Sequence, residues 1–98
     1  MKDTIIEMYL GETRAVELEI TTNSFETVPI SGASYEVYST SKKIIEETPA
    51  VVTAQNKIGA VISKENIAKP GEYFIIWKVN AFLQDFILRT KLFIKDVL

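Results

Sequence analysis

The run Lys69-Pro70-Gly71-Glu72-Tyr73-Phe74-Ile75-Ile76-Trp77-Lys78-Val79 constrains this chain more than any other stretch. Pro70 and Gly71 stop whatever precedes them, and the aromatic and β-branched residues that follow suit a pleated surface. Apolar side chains fall on both parities of the run, which predicts a central strand. A strand entered by a crossover and left by a short hairpin is how immunoglobulin-like sandwiches build their core, and nothing in the run resembles a catalytic loop.

Elsewhere the apolar period is two rather than 3.6. Val16, Leu18 and Ile20 alternate with Glu17, Glu19 and Thr21, a half-buried strand from Thr13 to Thr21, with an earlier strand, Thr4 to Leu10, before the Gly11-Glu12 break. A polar loop over residues 21–27 leads through Val28-Pro29-Ile30 to Gly32, which punctuates before a strand from Ala33 to Thr40. There Ala33, Tyr35 and Val37 face one way and Ser34, Glu36, Tyr38 and Thr40 the other. Lys43 to Glu47 is short and charged at both ends, as edge strands tend to be, with Pro49 just beyond. Ala50–Ala54 and Lys57–Ile62 flank a Gln55-Asn56 turn. Ser63 to Lys69 is the one helical stretch, with Ser63 as cap and Pro70-Gly71 as stop. Strands from Glu72 to Asn80 and from Asp85 to Lys95 complete the set. In the last, Phe86, Leu88, Leu92 and Ile94 share one face, and Ile87, Arg89, Lys91, Phe93 and Lys95 the other. The expected fold is an all-β immunoglobulin-like sandwich of about seven strands with a helical turn before the Tyr73 strand. Tyr73 stands in the place of a tyrosine corner, so its hydroxyl should bond to main chain near that crossover.

A chain of 98 residues makes one domain, spanning 1–98, and the 47% of hydrophobic residues suffices for a single filled core without metals or disulfides. There is no Cys and no His. Their absence removes disulfides, Ser-His-Asp and Cys-His catalysis, and the usual zinc and copper ligands, so no cofactor is expected. The net charge is −2 and the 11 basic residues are scattered, which argues against a nucleic-acid partner. Acidic residues on both sides of the first apolar run do not suit a signal peptide, and no run is long enough for a membrane span. The expectation is a chain that stays in the cytoplasm unless an assembly carries it elsewhere.

Paired carboxylates are the catalytic device this composition still permits. Alternation on an exposed face accounts for Glu17 and Glu19, however, and protection of an edge for Glu46 and Glu47. The four glycines lie far apart, so neither a phosphate-binding loop nor a dinucleotide fingerprint can be written, and no calcium-loop pattern surrounds Asp85 or Asp96. No catalytic residue is therefore nominated. Tyr35, Tyr73 and Trp77 fall at core spacing, whereas Tyr38 lies on the polar parity and is the aromatic best placed to meet a ligand or partner. The last hairpin is unusual: Phe82 and Leu83 occupy a turn where polar or glycine residues are expected. They either fold over the open end of the sandwich or touch another subunit.

Three segments resemble a known group of proteins. The run Tyr9-Leu10-Gly11-Glu12-Thr13 with the alternating strand behind it, the run Ile30-Ser31-Gly32-Ala33, and Pro70-Gly71-Glu72-Tyr73 together resemble the small immunoglobulin-like domains of tailed-phage and prophage structural proteins, including the N-terminal domains of baseplate upper proteins. The chain departs from that pattern at Ala81-Phe82-Leu83-Gln84, where those domains often carry a polar turn. The resemblance implies a non-enzymatic structural or adaptor protein of a virion, in its tail, baseplate or head–tail region. Its partners would be other virion proteins or further copies of itself in a homo-oligomer, met through Phe82, Leu83 and Tyr38. The alternative is a carbohydrate- or ligand-binding accessory module of a bacterial surface protein or enzyme, with Tyr38 stacking on the sugar.

Overall fold

The computed structural model describes residues 4–20, 30–54, 56–81 and 83–96. Eight strands lie among them: β1 (Thr4–Tyr9), β2 (Arg14–Glu19), β3 (Ile30–Ser39), β4 (Lys43–Pro49), β5 (Val51–Ala54), β6 (Lys57–Ile62), β7 (Gly71–Ala81) and β8 (Gln84–Lys95). One sheet has the order β1-β8-β7-β3-β4 and the other β2-β6-β5. This division is that of an immunoglobulin-like sandwich, with β2, β6 and β5 facing a sheet centred on β7. Every strand pair is antiparallel except β1 with β8, which run parallel from Thr4 opposite Thr90 to Tyr9 opposite Lys95.

β7 is the central strand of the larger sheet, as its composition predicts. Its Tyr73, Ile75, Trp77, Val79 and Ala81 are buried against Val16, Leu18, Ile58 and Ile62 of the smaller sheet and Leu92 and Ile94 of β8, in one core. The other face of β7 is only partly covered, with Phe74 and Ile76 half-buried and Lys78 exposed. Trp77 is fully buried, and its indole Nε1–H donates to the Thr90 hydroxyl at 2.9 Å, which satisfies both polar groups. The Tyr35 ring lies 5.9 Å from it, tilted by 49°. At the start of the strand the Tyr73 hydroxyl donates to the Lys69 carbonyl oxygen at 2.7 Å, the corner bond expected there. It ties the crossover down onto the sheet.

Two local expectations are revised. β3 begins at Ile30, so Gly32 lies inside the strand beside a register shift between Ile30 and Gly32, not in front of it. β4 runs on through Pro49, which an edge strand tolerates because its missing N–H would face solvent. The expected helical turn is present as a single 3-10 turn, Lys64–Asn66, with the Ser63 hydroxyl accepting from Glu65 N–H and the backbone already extended at Ile67.

Candidate functional site

The chain reverses between Ala81 and Gln84, which face each other across β7 and β8, leaving a two-residue turn. Phe82 lies outside the described residues. Leu83 has φ of 60°, in the left-handed region that two-residue hairpin turns require and that glycine or asparagine ordinarily supplies. A leucine there costs roughly 1–2 kcal/mol because its Cβ crowds the next carbonyl. The side chain recovers nothing from the fold, since it is 99% exposed. It therefore does not cover the open end of the sandwich.

The base of this turn is held firmly. The Asn80 side-chain amide donates to Asp85 Oδ1 at 2.8 Å across the hairpin. Ser31 Oγ on β3 donates to the Asn80 carbonyl at 3.1 Å and also bonds its side-chain oxygen. Two further apolar residues follow on β8. Phe86 takes the inward parity expected of it, yet at the end of the sandwich it stays 40% exposed, and Ile87 on the outer face is 71% exposed. They flank a shallow groove whose wall includes Asn80, Lys78 and Ser34. Sequence reading singled out Phe82 and Leu83 and passed over Ile87. Its signal was an isoleucine on the charged parity of β8.

The remaining outer face of the larger sheet is a mosaic in which charges already have partners. Lys91 pairs with Glu72 at 3.0 Å and Lys95 with Glu7. Glu36, on the polar parity of β3, is nonetheless buried, because Lys43 (2.5 Å) and Lys78 (3.6 Å) close over its carboxylate. The hydrogen bond from Lys43, reinforced by Lys78, holds the Glu36 carboxyl below the usual carboxylate range, and the same bond raises the Lys43 pKa. The hydrogen bond to Glu7 likewise raises that of Lys95. Arg89 lies over the Phe74 ring at 5.0 Å. Tyr38 is half-buried, with the Lys43 ammonium 5.7 Å from its ring centre, so one face of that ring is taken.

The carboxylate pairs Glu17–Glu19 and Glu46–Glu47 do not converge on each other. Glu17 accepts from Thr53 Oγ1 at 2.7 Å on the smaller sheet, whereas Glu46 and Glu47 sit on β4 of the larger one beside Lys43 and Lys78. Among the described residues no group of three or more acidic side chains is placed to hold a metal ion, and no helix is long and apolar enough to cross a membrane. At the far end of the sheet from Leu83, an open polar cleft is lined by Ser39, Lys42, Glu65, Lys69 and Tyr73.

No family model matches this sequence, and comparison with curated proteins gives no match either.

Proposed function

We propose that this chain is a non-enzymatic adaptor that works by protein–protein contact, with the β7–β8 turn as its contact point. The observation that carries the reading is Leu83, a fully exposed leucine in a backbone conformation that disfavours it, on a turn braced by Asn80, Asp85 and Ser31. Neither the strain nor the exposure benefits the isolated domain, and burial against a partner would offset both, contributing about 1.5–3 kcal/mol for the side chain. Acidic Asp85 beside the turn, with no basic cluster near it among the described residues, favours a protein pocket over an anionic membrane. The particle in which such an adaptor would serve is that of a phage or prophage, a reading supported by the resemblance of the Gly11, Gly32 and Pro70-Gly71 segments to virion sandwich domains.

The test is Leu83→Gly. Glycine adopts the left-handed conformation freely, so the variant should melt at the same or a higher temperature, with a gain of up to about 1 kcal/mol. The same variant, combined with Ile87→Ser, should lose self-association in sedimentation or incorporation into particles from the induced host. A variant that assembles like the wild type would overturn the reading. Gene order discriminates the setting: neighbouring capsid, tail or baseplate genes support the virion assignment, and polysaccharide-degrading genes the accessory module.

A further inference from the structure

Four strand edges bound the two sheets, and the chain treats them differently. On β1 the bond from Leu10 N–H to the Lys95 carbonyl (2.8 Å) sets the parity, so the main-chain groups of Ile5, Glu7 and Tyr9 point away from β8. The loop that follows caps much of that edge. The Glu12 carboxylate accepts from Tyr9 N–H (3.0 Å), Glu12 N–H donates to the Tyr9 carbonyl (3.1 Å), and Arg14 Nη1 donates to the Glu7 carbonyl (3.0 Å). On β4, Pro49 has no N–H, the Thr48 hydroxyl donates to the Glu46 carbonyl (2.8 Å), and two register shifts break the pairing with β3. β5 has four residues and a shift between Val52 and Ala54. These are the usual means of keeping an edge from recruiting another strand.

Among the described residues β2 has none of them. Its register with β6 runs unbroken from Arg14 opposite Ile62 to Glu19 opposite Lys57. The bond from Ile20 N–H to the Asn56 carbonyl (2.7 Å) shows that even-numbered residues bond to β6. The N–H and C=O groups of Ala15, Glu17 and Glu19 therefore point off the sheet, and they have no partner among the described residues. The side chains of the same three residues are exposed on the sheet's outer face. Glu17 accepts from the Thr53 hydroxyl and Glu19 makes a long 3.5 Å contact with Asn56, but neither has an ion pair among the described residues.

We infer that β2 is a docking edge that takes an extended segment of another protein, antiparallel to β2, with basic side chains at alternate positions opposite Glu17 and Glu19. Main-chain bonds to Ala15, Glu17 and Glu19 supply the attachment, and the two glutamates supply the choice of partner. A second copy of β2 is the wrong occupant, because a two-fold pairing sets the glutamates of one strand beside those of the other, and like charges across a ladder are destabilising. The inference is independent of the Leu83 turn: it concerns main-chain groups of the smaller sheet, whereas that turn joins two strands of the larger one.

The experiment is titration of the isotope-labelled protein, followed by amide NMR, with a heptapeptide of alternating valine and lysine. Expected are shifts confined to β2 and its neighbours and slowed exchange of the Ala15, Glu17 and Glu19 amides. An alternating valine and glutamate peptide should bind roughly tenfold more weakly. N-methylation at the lysines, whose N–H groups would face β2, should abolish binding, and N-methylation at the valines should not. Ala15→Pro should block binding without disturbing the β6 ladder, since the Ala15 N–H is not part of it. Should that variant fail to fold, Glu17→Lys with Glu19→Lys decides by inverting the peptide preference. Absence of binding, shifts centred on another edge or on Leu83, no preference between the two peptides, or blockage by methylation at the valines would each overturn the inference. Leu83→Gly should bind the peptide like the wild type, so failure here and failure of the contact at the turn are separable.

Discussion

Two buried side chains, Trp77 and Glu36, are held by different physics. Trp77 fills the middle of the core and bonds to Thr90. Trp77→Ala should lower stability by roughly 3–5 kcal/mol in urea melts, from lost apolar contact and the cavity left behind. Trp77→Phe should cost less, with about 1–3 kcal/mol of it due to the Thr90 hydroxyl left buried without its donor. A loss below about 1 kcal/mol for Trp77→Ala, the range of surface changes, would remove β7 from the centre of the core. Glu36 is held by Lys43 and Lys78, and its carboxyl ionises at lower pH in the fold than in the unfolded chain. The stability this contributes is present above the unfolded value of about 4.3 and is lost as pH falls through the lower folded value. Urea midpoints should therefore decline on acidification in the wild type and decline less in Glu36→Gln. That variant should also be less stable at neutral pH, because Lys43 and Lys78 lose the charge between them.

At the scale of elements, the edge strands carry the clearest consequence. The loop after β1 places Glu12 and Arg14 so that they bond the outward main-chain groups of Glu7 and Tyr9, with Gly11 at φ of 90° making the bend. Glu12→Ala combined with Arg14→Ala should leave the core untouched and open the β1 edge. The expected result is concentration-dependent association seen by light scattering, with little change in the melting temperature of dilute samples. Unchanged scattering over the same concentrations would show that the clip is not what keeps this edge solitary.

For the whole molecule, the parallel pairing of β1 with β8 joins the beginning of the sequence to its last strand. β1 contributes Met8 to the core and half-buried Ile6 beside it. A chain lacking residues 1–9 would expose the flank of β8 and the apolar surface around Leu92 and Ile94. Such a truncation should lose cooperative thermal unfolding by circular dichroism or survive only as an associated species. A monomer that melts as sharply as the full chain would show that the sandwich closes without β1. Dependence on so distant a pairing also predicts folding in milliseconds to seconds, as for other sandwiches rich in non-local contacts.

Much of the fold was legible in the sequence, because side-chain alternation and turn chemistry are local. Alternating Val16, Leu18 and Ile20 marked β2, Pro70-Gly71 marked the start of β7, and the position of Tyr73 implied a corner bond that the fold contains. The unusual turn was legible for the same reason: an apolar pair where polar residues belong stands out without any structure. Leu83's full exposure was not, since burial depends on what else reaches that end of the sandwich. Glu36 shows the limit most plainly. Its parity placed it on the outer face, and only the approach of Lys43 from β4 and Lys78 from β7 buried it. The contrast between the capped β1 edge and the open β2 edge is likewise tertiary. The alternation of side chains determines that strands form, but the partner of a main-chain N–H is decided by the strand or loop that comes to lie beside it.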